Sequence, residues 1–200
     1  GSLRPVAKEL KTSERLMVDA NQGWDLRTAC VMVPKLAEFG LTWIEEPLMA
    51  DRPMAEWTQV AAAAPTPLAG GENLRGTGPF QETIDSGLFG VIQPDAAKWG
   101  GHSGCLPVAR AALAAGRTYC PHFLGGAIGL MHSLHLLAAV RGPGLLEVDA
   151  NPNPLREGLL GDLLTVREGT VSLPGGQGLG LEPDLKPLAN LRSLHRERHA

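Results

Sequence analysis

Three acidic residues, Asp19, Glu45 and Glu72, each close a short apolar run. The runs are Leu16-Met17-Val18, Leu41-Thr42-Trp43-Ile44 and Pro67-Leu68-Ala69-Gly70-Gly71. The three carboxylates lie 26 and 27 residues apart along the chain. A buried strand, a loop, a helix and a second loop use up about that length, so the spacing predicts one β/α unit per carboxylate. Carboxylates at the same end of successive parallel strands converge on one rim of the sheet. Three of them gathered there repel one another unless a cation sits between them. An oxygen-only set with open positions suits Mg²⁺ better than zinc.

The rhythm continues beyond Glu72. Val91-Ile92-Gln93-Pro94 leads to Asp95 after 23 residues, Thr118-Tyr119-Cys120-Pro121 to His122 after a further 27, and Leu145-Leu146 to Glu147 after a further 25. A lone Asp or Glu after an apolar run is usually a solvated loop residue. Six polar groups in phase are not explained that way. The C-terminal ends of the strands of a β/α barrel are where such folds keep their chemistry.

The elements that would hold these groups follow from periodicity and punctuation. Leu3 to Arg15 reads as the tail of a helix feeding the first strand. Asp25 is placed to cap a helix with Leu26, Cys30, Val33, Leu36 and Phe39 on one face, kinked or split at Pro34 and ended by Gly40. Further helices are expected from Pro53 to Ala64, Pro79 to Ser86, Gly104 to Ala115 with Pro107 in its first turn, and Ala127 to Val140. Beyond Glu147, Asn151 to Pro154 reads as irregular. Leu164-Thr165-Val166 and Thr170-Val171-Ser172 flank Arg167-Glu168-Gly169 as a hairpin. Gly175 to Gly180 has no strand-to-helix context and reads as a turn rather than a dinucleotide loop.

Composition narrows the function classes. Two hundred residues, 44% apolar and 20% charged, make one domain or a large part of one. A net charge of −3 gives no electrostatic case for nucleic acid or an anionic membrane. Cys30, Cys105 and Cys120 are scattered and odd in number, which fits a reducing cytoplasm rather than a disulfide framework or a zinc site. No apolar run approaches the roughly 18 residues of a membrane span.

Five motifs in order resemble the enolase superfamily, and within it the mandelate racemase subgroup. They are Val18-Asp19-Ala20-Asn21, Trp43-Ile44-Glu45-Glu46-Pro47, Gly71-Glu72-Asn73, Pro94-Asp95-Ala96-Ala97-Lys98-Trp99-Gly100-Gly101 and Pro121-His122-Phe123. The Gly-Glu-Asn at Glu72 and the Asp95 five residues before Gly100 choose this subgroup over the muconate-lactonizing one. The resemblance implies an α/β fold, the C-terminal portion of a TIM-type (β/α)₇β barrel. Residues 1–160 would run from about the third strand to the last, and 161–200 would form a hairpin and tail.

The resemblance also implies a mechanism. Mg²⁺ held by Asp19, Glu45 and Glu72 would stabilise the charge that develops when a hydroxy-acid carboxylate loses its α-proton. His122 would be the general base, with Asp95 bonded to its other ring nitrogen. Glu147 would face the substrate carboxylate, with Asp149 its rival two positions on. Glu46 would be a neighbour of the metal rather than a ligand, and Asn21 and Asn73 would support the ligands. Lys98 reads as a helix-start or loop cation, not the base. His132 and His135 read as helix residues and His102 as a loop residue within reach of substrate. The expected protein is a cytoplasmic homo-oligomeric enzyme acting on a small-molecule carboxylate. Dehydration of a sugar acid is favoured, and racemisation or epimerisation comes second. The family's capping domain, two earlier strands and a Lys-x-Lys base are not in these 200 residues. The native protein is expected to carry about a hundred or more further residues upstream. The rival reading from another class is a non-catalytic fragment that lacks the upstream Lys base and retains the fold.

Overall fold

Along each strand run, side chains alternate between two faces, and both faces are apolar. That pattern belongs to a parallel sheet covered on both sides. The computed structural model describes residues 3–160, 164–180 and 182–191. It contains one five-stranded sheet whose strands pair in chain order, every pair parallel. The strands are β1 (Val18–Asp19), β2 (Ile44–Glu45), β3 (Leu68–Gly70), β4 (Phe89–Ile92) and β5 (Thr118–Tyr119). Val18 lies beside Ile44 and Asp19 beside Glu45, so the first two carboxylates stand level on adjacent strands. The register slips once, between Leu68 and Ala69, where β3 meets β4.

Helices α1 (Leu3–Glu9), α2 (Leu26–Leu36), α3 (Met54–Ala63), α4 (Thr77–Ser86), α5 (Gly101–Ala114), α6 (Ala127–Val140) and α7 (Pro154–Leu160) complete the alternation. Helices α2 to α6 each follow one strand. Ile44, Leu68 and Ile92 point towards the helices and are buried with Val33, Trp57, Val60, Phe80 and Ile84. Trp43, Ala69, Val91 and Cys120 point the other way and form a smaller cluster with Met17 and Leu145. Each fully buried side chain of this size stabilises the fold by roughly 1.5–3 kcal/mol. Among the described residues, no helix is long and apolar enough to cross a membrane.

Local chemistry sets most boundaries as expected. The Asp25 side chain accepts from the Thr28 N–H at 2.7 Å and caps α2. Gly87 closes α4 with φ 72°, a left-handed conformation that glycine adopts at no steric cost. Several expectations need correction. α2 passes Pro34 unsplit, and the chain tightens into a 3₁₀ turn over Ala37–Phe39 directly afterwards. α5 starts at Gly101, three residues earlier than expected, so Pro107 lies in its interior. α1 stops at Glu9 rather than continuing to Arg15. Residues 151–153 are irregular as expected, but α7 begins at Pro154, the last residue expected to be irregular. Asn153 accepts from the N–H groups of Leu155 and Arg156 at 3.0 and 3.3 Å, and Pro154 occupies the first turn.

The sixth strand is not a strand. Leu145–Glu147 runs beside β5 without a ladder, because the Leu145 N–H donates to the Cys120 Sγ at 3.3 Å instead of to a strand carbonyl. Gly144 presses on the Tyr119 carbonyl so closely that a Cβ there would overlap it. The hairpin is reduced to its turn. Arg167 and Thr170 exchange two backbone hydrogen bonds of 2.9 Å across Glu168 and Gly169, both at positive φ, and the pairing goes no further. Leu164, Val171 and Leu179 pack with Leu160 against Phe123, Leu130 and Leu134.

Candidate active site

The strand-end groups meet at one rim. His122 is 8% exposed and Asp95 5%. The His122 Nδ1–H donates to Asp95 Oδ2 at 2.8 Å, which fixes the tautomer and turns Nε2 towards the rim. There Nε2 lies 2.5 Å from Glu72 Oε2 and 3.9 Å from Glu147 Oε2. Glu147 accepts the Phe123 N–H at 2.7 Å. Asp149, its sequence rival, turns to Asn151 and Arg156 instead. The second oxygen of Glu72 accepts from Lys98 Nζ and from Asn73 Nδ2, each at 2.9 Å.

The loops that carry these groups hold unusual backbone. Asn21, Gln22 and Glu46 all have positive φ, at 45°, 57° and 37°, which costs on the order of 1–3 kcal/mol for each non-glycine residue. Cross-links between the loops after β1 and β2 hold them. The Gln22 N–H donates to the Glu46 carbonyl at 2.8 Å, and the Ala50 N–H donates to Gln22 Oε1 at 3.0 Å. Gly71, at φ 136°, has no room for a side chain: a Cβ would sit 3.0 Å from Gln93 N and 3.2 Å from Phe80. A glycine there lets Glu72 leave β3 towards the rim.

Charge divides the rim. Hydrogen bonding to His122 holds Glu72 down to about 2, with Lys98 adding to the effect against burial. Burial opposes the charged form of His122, but Asp95 and Glu72 outweigh it and push the imidazole up to about 10. Asp19, Glu45 and Glu147 behave oppositely. Burial raises all three, and each also feels the negative charge of its neighbours. Burial lifts Glu46 to about 7, although Asn73 donates to both its oxygens at 3.1 and 3.0 Å. Trp43 Nε1 donates to Glu45 Oε2 at 3.1 Å, and the Gln93 side chain also favours ionised Glu45. Asp19, Glu45 and Glu147 border a cavity of about 220 Å³ that Met17, Trp43, Gln93, Cys120 and Leu145 also line. The Gln93 Oε1 in its wall is buried without a partner.

The donor set Asp19, Glu45 and Glu72 fits a hard divalent cation, because all its atoms are oxygens and two of its members are short of positive charge. As they stand, no three of the described His, Cys, Asp or Glu side chains are gathered closely enough to ligate an ion. Glu72 has His122 and Lys98 as its cations instead.

The sequence matches the family model described as enolase C-terminal domain-like over residues 2–187. The chain belongs to that family. Its similarity to a mandelate racemase/muconate lactonizing enzyme from Bordetella bronchiseptica RB50 places this enolase-type chain in the mandelate racemase-like subgroup. The two share 54% identity with a TM-score of 0.87, over 93% of this chain and 52% of the other. L-talarate/galactarate dehydratase of Salmonella typhimurium is 37% identical over 89% of this chain and 42% of its own length. A solved structure of that enzyme, liganded with Mg and L-lyxarohydroxamate, superposes with a TM-score of 0.80 at 34% identity, covering 93% of this chain and 45% of that one. D-galactarolactone cycloisomerase of Agrobacterium fabrum is 31% identical over 89% of this chain and 49% of its own length. The chain therefore spans about half the length of the curated relatives it matches. Its relatives are enzymes of enolase type, and the fold is the C-terminal part of their barrel.

Proposed function

We propose that the protein carrying this chain is a Mg²⁺-dependent acid-sugar dehydratase. The observation behind this reading is His122, clamped by Asp95 through Nδ1 and aimed with Nε2 at a rim of carboxylates. Asp19, Glu45 and Glu72 would hold the metal. Bound there, Mg²⁺ would supply positive charge opposite the substrate oxygens that gain electrons as the α-proton leaves.

The remaining steps belong to the chain's own side chains. Engaging Glu72 elsewhere would release His122 from its short ion pair and lower its pKa, leaving Nε2 free to take a proton. Asp95 would keep Nδ1 protonated and orient the ring. The α-proton passes to His122 Nε2, which would return it to the hydroxyl on the neighbouring carbon as that C–O bond breaks, so that water departs. The resulting enol tautomerises to a 2-keto-3-deoxy acid, so atoms and charge balance. Glu147, raised by burial, would donate a hydrogen bond to the substrate carboxylate. Trp43 and Gln93 would hold Glu45 in place.

The dehydratase relative, 37% identical, favours this reading. The cycloisomerase relative favours an isomerase or epimerase that shares the proton abstraction as the second reading. The test is a panel of aldonic and aldaric acids in D₂O with the protein that carries this chain and whatever precedes it. NMR would follow α-proton exchange and product. Mg²⁺-dependent exchange with formation of a keto-deoxy acid supports dehydration. Exchange with inversion and no loss of water selects the second reading. No exchange on any hydroxy acid overturns both.

A further inference from the structure

A second cluster of chemistry-bearing side chains lies between α5 and α6. His102 stands exposed in the first turn of α5 rather than in a loop, and His132 is half-buried on α6. His132 Nδ1 is 3.0 Å from His102 Nε2, with the rings edge to face and their centres 4.5 Å apart. His102 Nε2 also lies 3.3 Å from the His132 carbonyl oxygen. Neither ring is hydrogen-bonded to a rim carboxylate among the described residues.

We propose that His102 and His132 form a two-imidazole site for a divalent transition metal such as Zn²⁺, independent of the carboxylate rim. A contact of 3.0 Å between two ring nitrogens requires one N–H to point at the other's lone pair. A metal can replace that proton. Tetrahedral geometry with Zn–N bonds of about 2.0–2.1 Å separates two ligand nitrogens by about 3.3 Å. The nitrogens need to part by a few tenths of an ångström and the rings to tilt until both lone pairs point at the metal. Burial and the neighbouring His102 and His135 hold His132 below its ordinary pKa, which keeps its lone pair available. Imidazole prefers zinc, copper and nickel to magnesium, so the two sites would take different ions.

Nearby candidates do not join the site. His135 is one helical turn away, and its Nε2 is 3.1 Å from the Leu179 carbonyl. The Cys105 thiol donates to the Trp99 carbonyl at 3.3 Å and is pushed up to about 11 by burial. No third His, Cys, Asp or Glu among the described residues completes a three-ligand set. The two remaining positions would go to water, or to one carbonyl and water. Bound metal would tie α5 to α6 and stabilise the folded state by mass action.

The test is a Zn²⁺ titration of the full protein, ¹⁵N-labelled at histidine, in excess Mg²⁺ to occupy the rim. Long-range ¹H–¹⁵N spectra report each ring nitrogen separately. The site predicts that His102 Nε2 and His132 Nδ1 shift together and saturate at one equivalent. Zn²⁺ should also raise the melting temperature. His102→Asn, at an exposed position, and His132→Asn should each weaken Zn²⁺ binding about tenfold or more, while His135→Asn changes it by less than about twofold. Metal-free circular dichroism confirms that each variant folds. Zn²⁺ shifts confined to other histidines, or equal affinity in the His102→Asn variant, would overturn the proposal.

Discussion

The two sides of the rim are built from the same kind of side chain and have opposite electrostatics. Around His122, each carboxylate has a cation: Asp95 on Nδ1, Glu72 on Nε2, and Lys98 on the second Glu72 oxygen. Glu72 is accordingly driven down to about 2. Asp19, Glu45 and Glu147 accept hydrogen bonds from neutral donors, from Asn21, Trp43, Gln93 and Phe123, and His122 reaches Glu147 only at 3.9 Å; desolvation outweighs these and their pKa values rise. Neutral hydrogen bonds orient a carboxylate, but they do not replace a charge. The deficit on that side marks where a cation is needed. The balanced side already holds a group able to carry a proton.

Breaking the balanced side should have the largest effect. His122→Asn in the complete protein is expected to lower turnover by about 10²–10⁴-fold, the usual contribution of a general acid or base, while Mg²⁺ affinity persists. Calorimetric titration and α-proton exchange would check the two halves of that statement. On the deficient side, Asp19→Asn removes a charged donor, and Mg²⁺ binding should weaken by roughly a hundredfold, read by the same calorimetry. If both variants lost metal and activity equally, the division of the rim would be wrong.

A third change acts through packing. Gly144→Ala forces a methyl group into the Tyr119 carbonyl and should push the segment carrying Glu147 off β5. A loss of about 1–3 kcal/mol in unfolding free energy is expected from denaturant titration. The smallest effect should come from Lys98→Gln. Its pair with Glu72 is partly exposed, so the change should cost less than about 1 kcal/mol and shrink further in high salt.

Much of this was legible in the chain because a strand-end position is a matter of counting. Asp19, Glu45, Glu72, Asp95 and His122 come together because each unit returns to the same rim. Glu147 shows that the count outlasts the ladder, since it reaches His122 from a segment that is not a strand. Trp43 and Gln93 were missed although a signal existed. Each sits two residues before a singled-out acid, and alternation along an extended run puts such pairs on one face. The Asn153-Pro154 start of α7 was also in plain view. Lys98 was different. Its partner Glu72 lies 26 residues away on the preceding loop, and no local pattern fixes how those two loops face each other. The ladder-free path of Leu145 depends likewise on the thiol of Cys120.

The in-order sheet has a consequence for how the chain acquires its shape. Every strand contact, from Val18 with Ile44 to Ile92 with Tyr119, joins units adjacent in sequence. Such in-order pairing lets each unit dock on the one before, although every parallel pair must first close a loop of about 25 residues. Within these residues, Asp19, Glu45 and Glu72 end the strand runs of β1, β2 and β3. Lys98 comes with the loop after β4, and His122 only after β5. Along this stretch, Glu72 and Asp95 are therefore in place before the imidazole that pairs with both. The fifth unit, through His122, ties together the loops that follow β3 and β4.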